Sequence, residues 1–417
     1  MHQLAVIGGG PAGIMAAITA AGAGASVVVY DSGAPGATIL RTGGGRCNLA
    51  NAVFEARQLA DNYPRGGAFL VSAFSRFGAR ETLDWFQARG VPLVEEQEGR
   101  VFPSSGRAAD VREVLLAEAH RLGVRIRGGT AVRRVERSPG GFSLFPMGPG
   151  GRPGTPQQFS AVVIATGGDW KNPPGSGYRL AASLGHTVTP MAPSLTALLV
   201  SEAWARGLAG LTLPRARARA FVAGQKVADE EGGLLFTHRG ISGPLAFRIS
   251  SRTAFFKISP QAPLLVSVSL APDLSPVQAE NDLRQSMAAH PRQAILTAIG
   301  RYIPRSLGLA LLGLAGVKPD KACSQVTRTE RRGVSDRLCG LPLTVTGREK
   351  GSEMVSAGGV ALDEVSPATM ESRIAPGLFF CGEVLDIDGF TGGFNLQAAW
   401  STGYLAGLGA GTPLPRS

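Results

Sequence analysis

Cysteine is scarce and scattered in this chain of 417 residues. Its four cysteines, Cys47, Cys323, Cys339 and Cys381, form no C-x-x-C pair. Their spacing argues against a dithiol redox relay, a zinc site and a disulfide-stabilised secreted scaffold. We therefore expect a cytoplasmic protein that holds no metal.

Long apolar runs are missing as well. No run reaches the length that a membrane-spanning helix needs, and the apolar stretch 4–29 is broken by glycines. No Lys or Arg precedes this stretch, so it does not resemble a signal peptide. The chain is still 44% hydrophobic, which is enough for a substantial core and for more than one domain. We expect no association with a membrane.

Acidic residues are outnumbered, since 42 Lys and Arg face 31 Asp and Glu, a net charge of +11. Such an excess can indicate a polyanionic partner. The basic residues are most concentrated in Arg215-Ala216-Arg217-Ala218-Arg219. This alternation predicts three guanidinium groups on one face of a β-strand. No nucleic-acid motif or interleaved aromatic residue accompanies it. The favoured interpretation is a solvated strand face, and nucleic acid is not expected as a partner.

The N-terminus carries the most informative motif. Gly8, Gly10 and Gly13 form G-x-G-x-x-G between the short apolar strand 4–7 and an alanine-rich helix, and a second strand ends at Asp31. In this context the motif is typical of dinucleotide-binding folds. The three glycines allow, in order, a tight turn, a close approach of the backbone to a pyrophosphate, and close packing of helix on strand. The helix N-terminus attracts phosphate, and the spacing of Asp31 suits a carboxylate that binds the ribose hydroxyls of an adenosine.

The pattern along the rest of the chain predicts a divided cofactor domain. From about residue 190, prolines and short alternating segments indicate a β-rich insertion, and 275–315 within it has a helical composition. The predicted bounds are 1–190 with 351–417 for the cofactor domain, 191–274 with 316–350 for the insertion, and 275–315 for a helical subdomain.

Within the cofactor domain we expect helices around 66–89 and 108–122 and strands at 124–127 and 131–135. A hairpin should start at 140–145, pass through a connection rich in Gly and Pro, and return as one strand, 159–164. A final apolar helix is expected at 395–408.

Three further motifs point to a family. Gly43-Gly44-Gly45-Arg46-Cys47-Asn48, the segment 235–244 and the run 382–397 resemble the BaiN/YhiN-type family of bacterial flavoproteins. Some of its members are described as aminoacetone oxidases or as NAD(P)/FAD-dependent oxidoreductases. The resemblance spans nearly the whole chain. It implies non-covalently bound FAD, an α/β fold with a discontinuous Rossmann-like domain, a β-barrel-like insertion and a small helical subdomain, and it leaves the substrate open.

The motifs together predict a set of cofactor residues. Arg46 offers forked donors to a phosphate or a flavin carbonyl, whereas Cys47 is more typical of packing. Val132 matches a main-chain contact to adenine in such proteins. The helix that begins near Phe394 would stabilise negative charge on the reduced flavin, and Asn395 is expected to bond the ring. The full set is Gly8, Gly10, Ala12, Gly13, Asp31, Gly44, Arg46, Cys47, Asn48, Val132, Thr166, Gly167, Gly382, Glu383, Gly392, Gly393, Phe394 and Asn395.

The insertion is expected to supply the substrate side of the site. His238 is the candidate catalytic residue, because an imidazole can take a substrate proton at neutral pH; a structural role is the alternative. No second G-x-G-x-x-G follows a strand. A dedicated NAD(P)H domain is therefore not expected, although NAD(P)H can visit the flavin as a transient reductant.

These features predict an FAD-dependent oxidoreductase. A hydride would pass between a small organic substrate and the flavin N5, and O2 or another acceptor would reoxidise the flavin. One alternative is an NAD(P)H-dependent flavin reductase that acts on an unsaturated substrate. Another, from a different class, is a flavin-containing nucleic-acid-binding protein, suggested by the charge. Nothing in the sequence indicates an oligomeric state.

Overall fold

The computed structural model describes residues 3–168 and 177–412. The chain forms two units, one made of Met1–Pro193 with Val355–Ser417 and the other of Ser194–Met354. No helix in the described part of the chain is long and apolar enough to cross a bilayer.

The helices and strands of the described residues are numbered in chain order. The α-helices are α1 Pro11–Gly22, α2 Ala56–Ala60, α3 Gly67–Arg76, α4 Ala79–Gln87, α5 Ala108–Arg121, α6 Gly177–Ser183, α7 Ala203–Arg206, α8 Pro244–Arg252, α9 Pro276–Ala289, α10 Ile295–Ile299, α11 Arg305–Leu314, α12 Arg328–Cys339 and α13 Phe394–Gly411. The strands are β1 Gln3–Ile7, β2 Ser26–Tyr30, β3 Ala50–Asn51, β4 Leu93–Glu95, β5 Arg100–Pro103, β6 Arg125–Arg127, β7 Ala131–Ser138, β8 Gly141–Met147, β9 Gln157–Phe159, β10 Ala161–Ile164, β11 Ala192–Ser194, β12 Leu198–Val200, β13 Thr212–Val222, β14 Gln225–Phe236, β15 Gly240–Ser242, β16 Leu264–Ser269, β17 Leu341–Arg348, β18 Val355–Ala357 and β19 Leu378–Phe380.

A parallel five-stranded sheet lies at the centre of the first unit, in the order β19-β10-β1-β2-β6. Ala5 lies opposite Val28 in β2 and Val162 in β10. The three central strands are continuous apolar runs, and almost every residue in them is buried. Such runs are expected of parallel strands that helices cover on both faces. Together with the barrel of the second unit, this sheet confirms the predicted α/β class.

The last helix, α13, packs closely on the first. A Cβ on Gly403 would lie 2.4 Å from the carbonyl oxygen of Ala12, and one on Gly407 would lie 2.5 Å from that of Ala16. These two glycines, about one turn apart, let the two helix backbones approach each other. The predicted apolar helix therefore exists, and its buried glycines bring it against the start of α1.

Six strands close a barrel in the second unit, in the order β12-β15-β14-β13-β16-β17. Strand β13 alternates as the sequence predicts. Its alanines, Ala216, Ala218 and Ala220, are buried in the core, and the arginines 215, 217 and 219 lie on the outer face. Helices α9 to α12 supply further apolar residues to the same core.

Three local predictions need correction. The returning strand expected at 159–164 is two strands, because β9 pairs with β8 while β10 joins β1 in the parallel sheet. The helix expected around 66–89 is divided into α3 and α4. The segment 316–350, assigned to the β-rich insertion, contains α12, which begins with a capping box formed by Thr327 and Glu330. The first two errors concern where an element ends, and the third is a helix that was not predicted. The ends of strands and helices depend on pairing with distant segments and on capping residues.

Candidate cofactor site

The turn between β1 and α1 depends on two close backbone approaches. Gly8 has a φ of +107°, and a Cβ there would lie 2.3 Å from the carbonyl oxygen of Ala165, just after β10. A Cβ on Gly13 would lie 1.9 Å from the carbonyl oxygen of Gly8. Neither position has room for a side chain, so both glycines are required by the turn itself.

Gly10 differs from these two, because a Cβ there would meet no atom within 4 Å. It is the N-cap of α1, no side chain caps this helix end, and Pro11 has no N–H. The N–H groups of Ala12 and Gly13 have no partner inside the helix. Open space beside free amides at the positive end of a helix forms a phosphate cradle. The residues therefore fit the pyrophosphate of a dinucleotide.

Asp31 is fixed beside this turn. Its Oδ2 accepts a hydrogen bond from the N–H of Gly9 (2.6 Å), and its Oδ1 accepts one from the N–H of Gly33 (2.7 Å). Each carboxylate oxygen has a second lone-pair direction. The ribose contact predicted for Asp31 stays a prediction, and this geometry permits it.

Thr166 and Gly167 follow β10 beside the same turn. The Thr166 hydroxyl is buried and bonds to none of the described residues. Gly167 has a φ of +77° and open space at its Cβ position. Val132 lies opposite Pro146, which has no N–H to donate to it. An unbonded buried hydroxyl is costly, so Thr166 is suited to bond a ligand; the cofactor contacts of all three stay predictions.

Four residues of the segment from Gly43 to Asn48 have a positive φ, namely the three glycines and Cys47. Gly44 has a φ of +66° with open space at its Cβ position, and Cys47 has a φ of +61°. Cys47 is fully buried, and burial raises its pKa to about 11, so the thiol is protonated at neutral pH. The Asn48 amide donates to the carbonyl of Ala50 and accepts from the N–H of Gly393, both at 3.1 Å. Asn48 thereby ties this segment to the start of α13.

Arg46 has partners within the protein. Its Nη2 lies 2.6 Å from Oε1 of Glu96, and its guanidinium carbon lies 4.0 Å from the ring centre of Phe102. A guanidinium group has five N–H donors, so other donors can still point to a ligand. The forked contact to a phosphate or a flavin carbonyl stays a prediction.

Helix α13 begins at Gly393, whose φ is +95°. A Cβ there would lie 2.3 Å from the carbonyl oxygen of Ala50, which requires glycine for structural reasons. As a glycine, Gly393 has no side chain that could cap the first turn. The N–H groups of its first turn are therefore without intrahelical partners, at the positive end of an 18-residue helix.

Two polar side chains of the C-terminal motif hold neighbouring loops. Asn395 accepts from the N–H of Gly389 and donates to its carbonyl, both at 2.8 Å. Its side chain is thus engaged with this loop, and the contact to a flavin ring expected of Asn395 stays a prediction. Glu383 accepts from the N–H of Ser356 (2.6 Å).

Sequence reasoning missed a pair of carboxylates between Gly382 and α13. Asp388 has a fully buried side chain and pairs with Arg65 through two hydrogen bonds. Asp386 accepts from the hydroxyl of Thr189 (3.0 Å) through Oδ2, whereas its Oδ1 is buried without a partner among the described residues. The Asp-Ile-Asp sequence lay inside the quoted motif, but Arg65 is 323 residues away.

The surroundings of Asp386 raise its pKa above the ordinary value. Burial is the largest cause, and the charge of Asp388 acts in the same direction, whereas the hydrogen bond from Thr189 and the charge of Arg65 oppose it. Thr189 also lies 3.2 Å from the carbonyl of Gly359, to which its hydroxyl can donate. When Asp386 is protonated, it can donate to Thr189, and the oxygen that stays unbonded is then a neutral carbonyl oxygen. This costs less than an unbonded carboxylate oxygen.

His238 lies in the second unit, exposed in the turn between β14 and β15. Its neighbour Arg239 pairs with Glu349 at 3.1 Å. The predicted cofactor residues all belong to the first unit. The catalytic role of His238 stays a prediction.

The fold and the cradle at Gly10 define a nucleotide-binding protein of the Rossmann class. Residues 2–409 match the family model described as HI0933-like protein Rossmann domain. The chain belongs to this family, which confirms the resemblance drawn from its motifs.

Two curated relatives cover nearly the whole chain. A 3-dehydro-bile acid delta(4,6)-reductase of Clostridium scindens is 33% identical over 98% of this chain and 99% of its own. A ribosomal RNA dihydrouridine synthase of Escherichia coli is 31% identical over 96% of this chain and 95% of its own.

Among solved structures, a 3-ketosteroid-delta4-(5alpha)-dehydrogenase from Rhodococcus jostii RHA1 superposes with a TM-score of 0.52. It is 15% identical and covers 99% of this chain and 97% of its own, which shows a shared fold. The family membership and the curated relatives make the protein a flavin-dependent oxidoreductase.

Proposed function

We propose that this protein binds FAD without a covalent bond and reduces a carbon–carbon double bond conjugated to a carbonyl group. The observation that carries the proposal is the open cradle at Gly10, where free amides at the start of α1 suit a pyrophosphate. FAD is favoured over FMN because a pyrophosphate cradle beside Asp31 suits a dinucleotide with an adenosine ribose.

Particular residues would hold the cofactor. Gly10, Ala12 and Gly13 would bind the pyrophosphate, and Asp31 the ribose. The uncapped start of α13 would stabilise negative charge on the pyrimidine edge of the flavin. When bound, FAD supplies the N5 position that exchanges a hydride with the substrate.

Reduction is favoured over oxidation of a small molecule by O2. One relative is named a delta(4,6)-reductase of a 3-dehydro bile acid, and the other makes dihydrouridine. Both transformations add a hydride and a proton across a double bond conjugated to a carbonyl. The electrons must come from a donor, and NAD(P)H is proposed to reduce the flavin transiently.

Hydride addition to such a bond leaves an anion that must take up a proton. Asp386 is the proposed proton source, because its Oδ1 is buried without a partner among the described residues and burial raises its pKa. Asp388, which pairs with Arg65, is not suited to this role.

Uridine in RNA is a second candidate substrate. The 31% identical dihydrouridine synthase favours it, and so does the distribution of charge. The second unit has 21 Lys and Arg against 12 Asp and Glu, a net charge of +9, whereas the first has 21 against 19, a net charge of +2. This proposal departs from the expectation that nucleic acid is not a partner.

The test uses the purified protein. Heat should release FAD, and anaerobic NADH or NADPH should abolish the visible absorbance of the flavin. A 3-oxo-Δ4 steroid or ribosomal RNA should then restore that absorbance, with a saturated ketone or dihydrouridine as the product identified by mass spectrometry. Release of FMN, or reoxidation by O2 alone with neither substrate consumed, would overturn the proposal.

A further inference from the structure

The outer face of the barrel carries a small pocket of about 160 Å³. All of its lining lies within the second unit. Two arginines come from β13 and two serines from β16. The remaining residues come from the segment that leads into α9, from the start of α9 and from the end of α12. The polar residues of this lining are Arg217, Arg219, Ser267, Ser269, Ser275 and Cys339.

Strand register brings the arginines and serines together. Arg217 lies opposite Ser269, and Arg219 lies opposite Ser267. Alternate residues of a strand share one face, so all four side chains project from the outer face, away from the buried alanines of β13 and valines of β16. Two guanidinium groups and two hydroxyl groups therefore meet in one pocket.

The cations of this pocket outnumber their counter-ion. Asp229 lies 2.7 Å from Nε of Arg217, 3.4 Å from Nε of Arg219 and 3.2 Å from Nζ of Lys226. Three positive charges contact this one carboxylate, and Glu231, the partner of Arg215, acts on Arg217 through its charge alone. By contrast, Arg215 on the same strand face contacts two carboxylates of its own. The pocket therefore keeps a local excess of positive charge.

Two further features favour an anion. The 14-residue helix α9 begins at the pocket, with Ser275 as its N-cap, and its dipole adds positive potential there. Burial raises the pKa of Cys339, so its thiol is neutral at physiological pH and does not repel an anion.

We propose that this pocket binds a phosphate group. The two guanidinium groups supply charge-assisted hydrogen bonds to the phosphate oxygens, and the serine hydroxyls donate to the same group. The phosphate belongs either to the backbone of an RNA strand or to a small phosphorylated molecule. The site is independent of the flavin chemistry proposed for the first unit, so either proposal can fail alone.

Cys339 offers a direct readout of occupancy. Of the four cysteines it alone is not buried, and it lines the pocket. We therefore expect N-ethylmaleimide to alkylate Cys339 first in the folded holoprotein, as followed by peptide mass spectrometry. Inorganic phosphate, 5′-AMP and a short single-stranded RNA serve as probes, and a bound phosphate group should slow the alkylation.

Substitutions test whether the arginines are needed for phosphate to protect Cys339 from alkylation. Arg217→Gln and Arg219→Gln should each raise the phosphate concentration for half-protection about tenfold, which corresponds to ~1.4 kcal/mol. Arg284→Gln, an exposed residue of α9 outside the lining, is the matched control for lost charge and should change it little. Ser269→Ala keeps every charge and should weaken protection less. An unliganded alkylation rate equal to that of the wild type shows that a variant pocket is intact.

The outcomes separate the sources of phosphate. Protection by RNA at concentrations where inorganic phosphate fails supports an RNA backbone, and protection by phosphate or 5′-AMP but not by RNA supports a small molecule. Protection by none of the three probes would overturn the proposal. So would protection that Arg217→Gln, Arg219→Gln and Arg284→Gln leave equal to that of the wild type.

Discussion

The parallel-sheet unit and the barrel unit place their charged side chains differently. In the first, Asp388 is enclosed and paired with Arg65, and His186 lies buried between Glu364 and Ser372. In the second, β13 exposes a row of arginines whose carboxylate partners also lie near the surface. Removing the partner of a buried charge costs several kcal/mol of stability, and burial can shift the pKa of a side chain far from its usual value. Exposed charges contribute mainly to surface potential.

The comparison assigns the two units different sensitivities. Changes at the cradle and at the enclosed ion pair of the first unit should impair cofactor binding or folding. Changes on the outer face of the barrel should alter the binding of anions and leave the fold intact. Four predictions test this contrast.

The largest effect is expected from Gly10→Val. The backbone at Gly10, with a φ of −79°, accepts any residue, but the side chain would fill the space left for the pyrophosphate. The variant should fold and lose FAD completely, as measured by the absorbance of the purified protein. Gly22→Val, at an open and exposed position of the same helix, is the control and should retain FAD. Equal flavin content in both variants would show that the cradle at Gly10 does not bind the cofactor.

The second prediction concerns the enclosed ion pair. Arg65→Ala removes the arginine that pairs with the fully buried carboxylate of Asp388. The substitution should lower the free energy of unfolding by about 3–5 kcal/mol. Arg215→Ala removes an arginine from an exposed network and should leave the free energy of unfolding nearly unchanged. Urea unfolding followed by circular dichroism measures both. Equal destabilisation by the two substitutions would contradict the different sensitivity that we assign to the charged residues of the two units.

The third prediction separates stability from chemistry at Asp386. Its pKa is raised in the fold, so this group favours the folded state at low pH, and that contribution is lost as the pH rises from its unfolded value through its folded value. Asp386→Asn places an uncharged group at this buried position and should be at least as stable as the wild type at neutral pH.

The same variant should lose the proposed proton transfer. Reduction of the flavin by NAD(P)H should stay near normal, whereas reoxidation by the unsaturated substrate should slow by roughly 100-fold, within the usual range for a general acid. Stopped-flow absorbance separates the two half-reactions. Normal reoxidation would make Asp386 a structural residue.

The smallest effect is expected from pH acting on His186. Its Nδ1 lies 3.0 Å from Glu364 and its Nε2 lies 2.8 Å from Ser372. Burial lowers its pKa below the usual 6.5 despite the nearby carboxylate. The unfolded chain therefore binds more protons in that range, so this contribution to stability is complete above pH 6.5 and is lost as the pH falls toward the folded value.

Melting temperatures measured across this pH range test the assignment. His186→Gln should flatten the dependence below pH 6.5, and His238→Gln, at an exposed position of the second unit, is the matched control. An identical pH profile for the His186 variant and the wild type would contradict the lowered pKa.

Local sequence determined the elements whose signals are contained within one strand, turn or helix. The spacing of Gly8, Gly10 and Gly13 predicted the β1–α1 turn, and the structure has it. The alternation of alanine and arginine predicted the two faces of β13. These predictions succeed because the period of a strand and the steric needs of a turn depend on adjacent residues.

Only the tertiary structure decided which groups meet. The sequence around Arg46 does not predict its ion pair with Glu96, and the sequence around Asp388 does not predict its ion pair with Arg65. The break between β9 and β10 depends on which sheet offers each strand a partner. The raised pKa of Asp386 depends on burial and on the charge of Asp388, and its hydrogen-bond partner Thr189 lies 197 residues away. Sequence specifies local geometry directly, whereas burial, pairing and protonation belong to contacts that exist once distant segments have packed together.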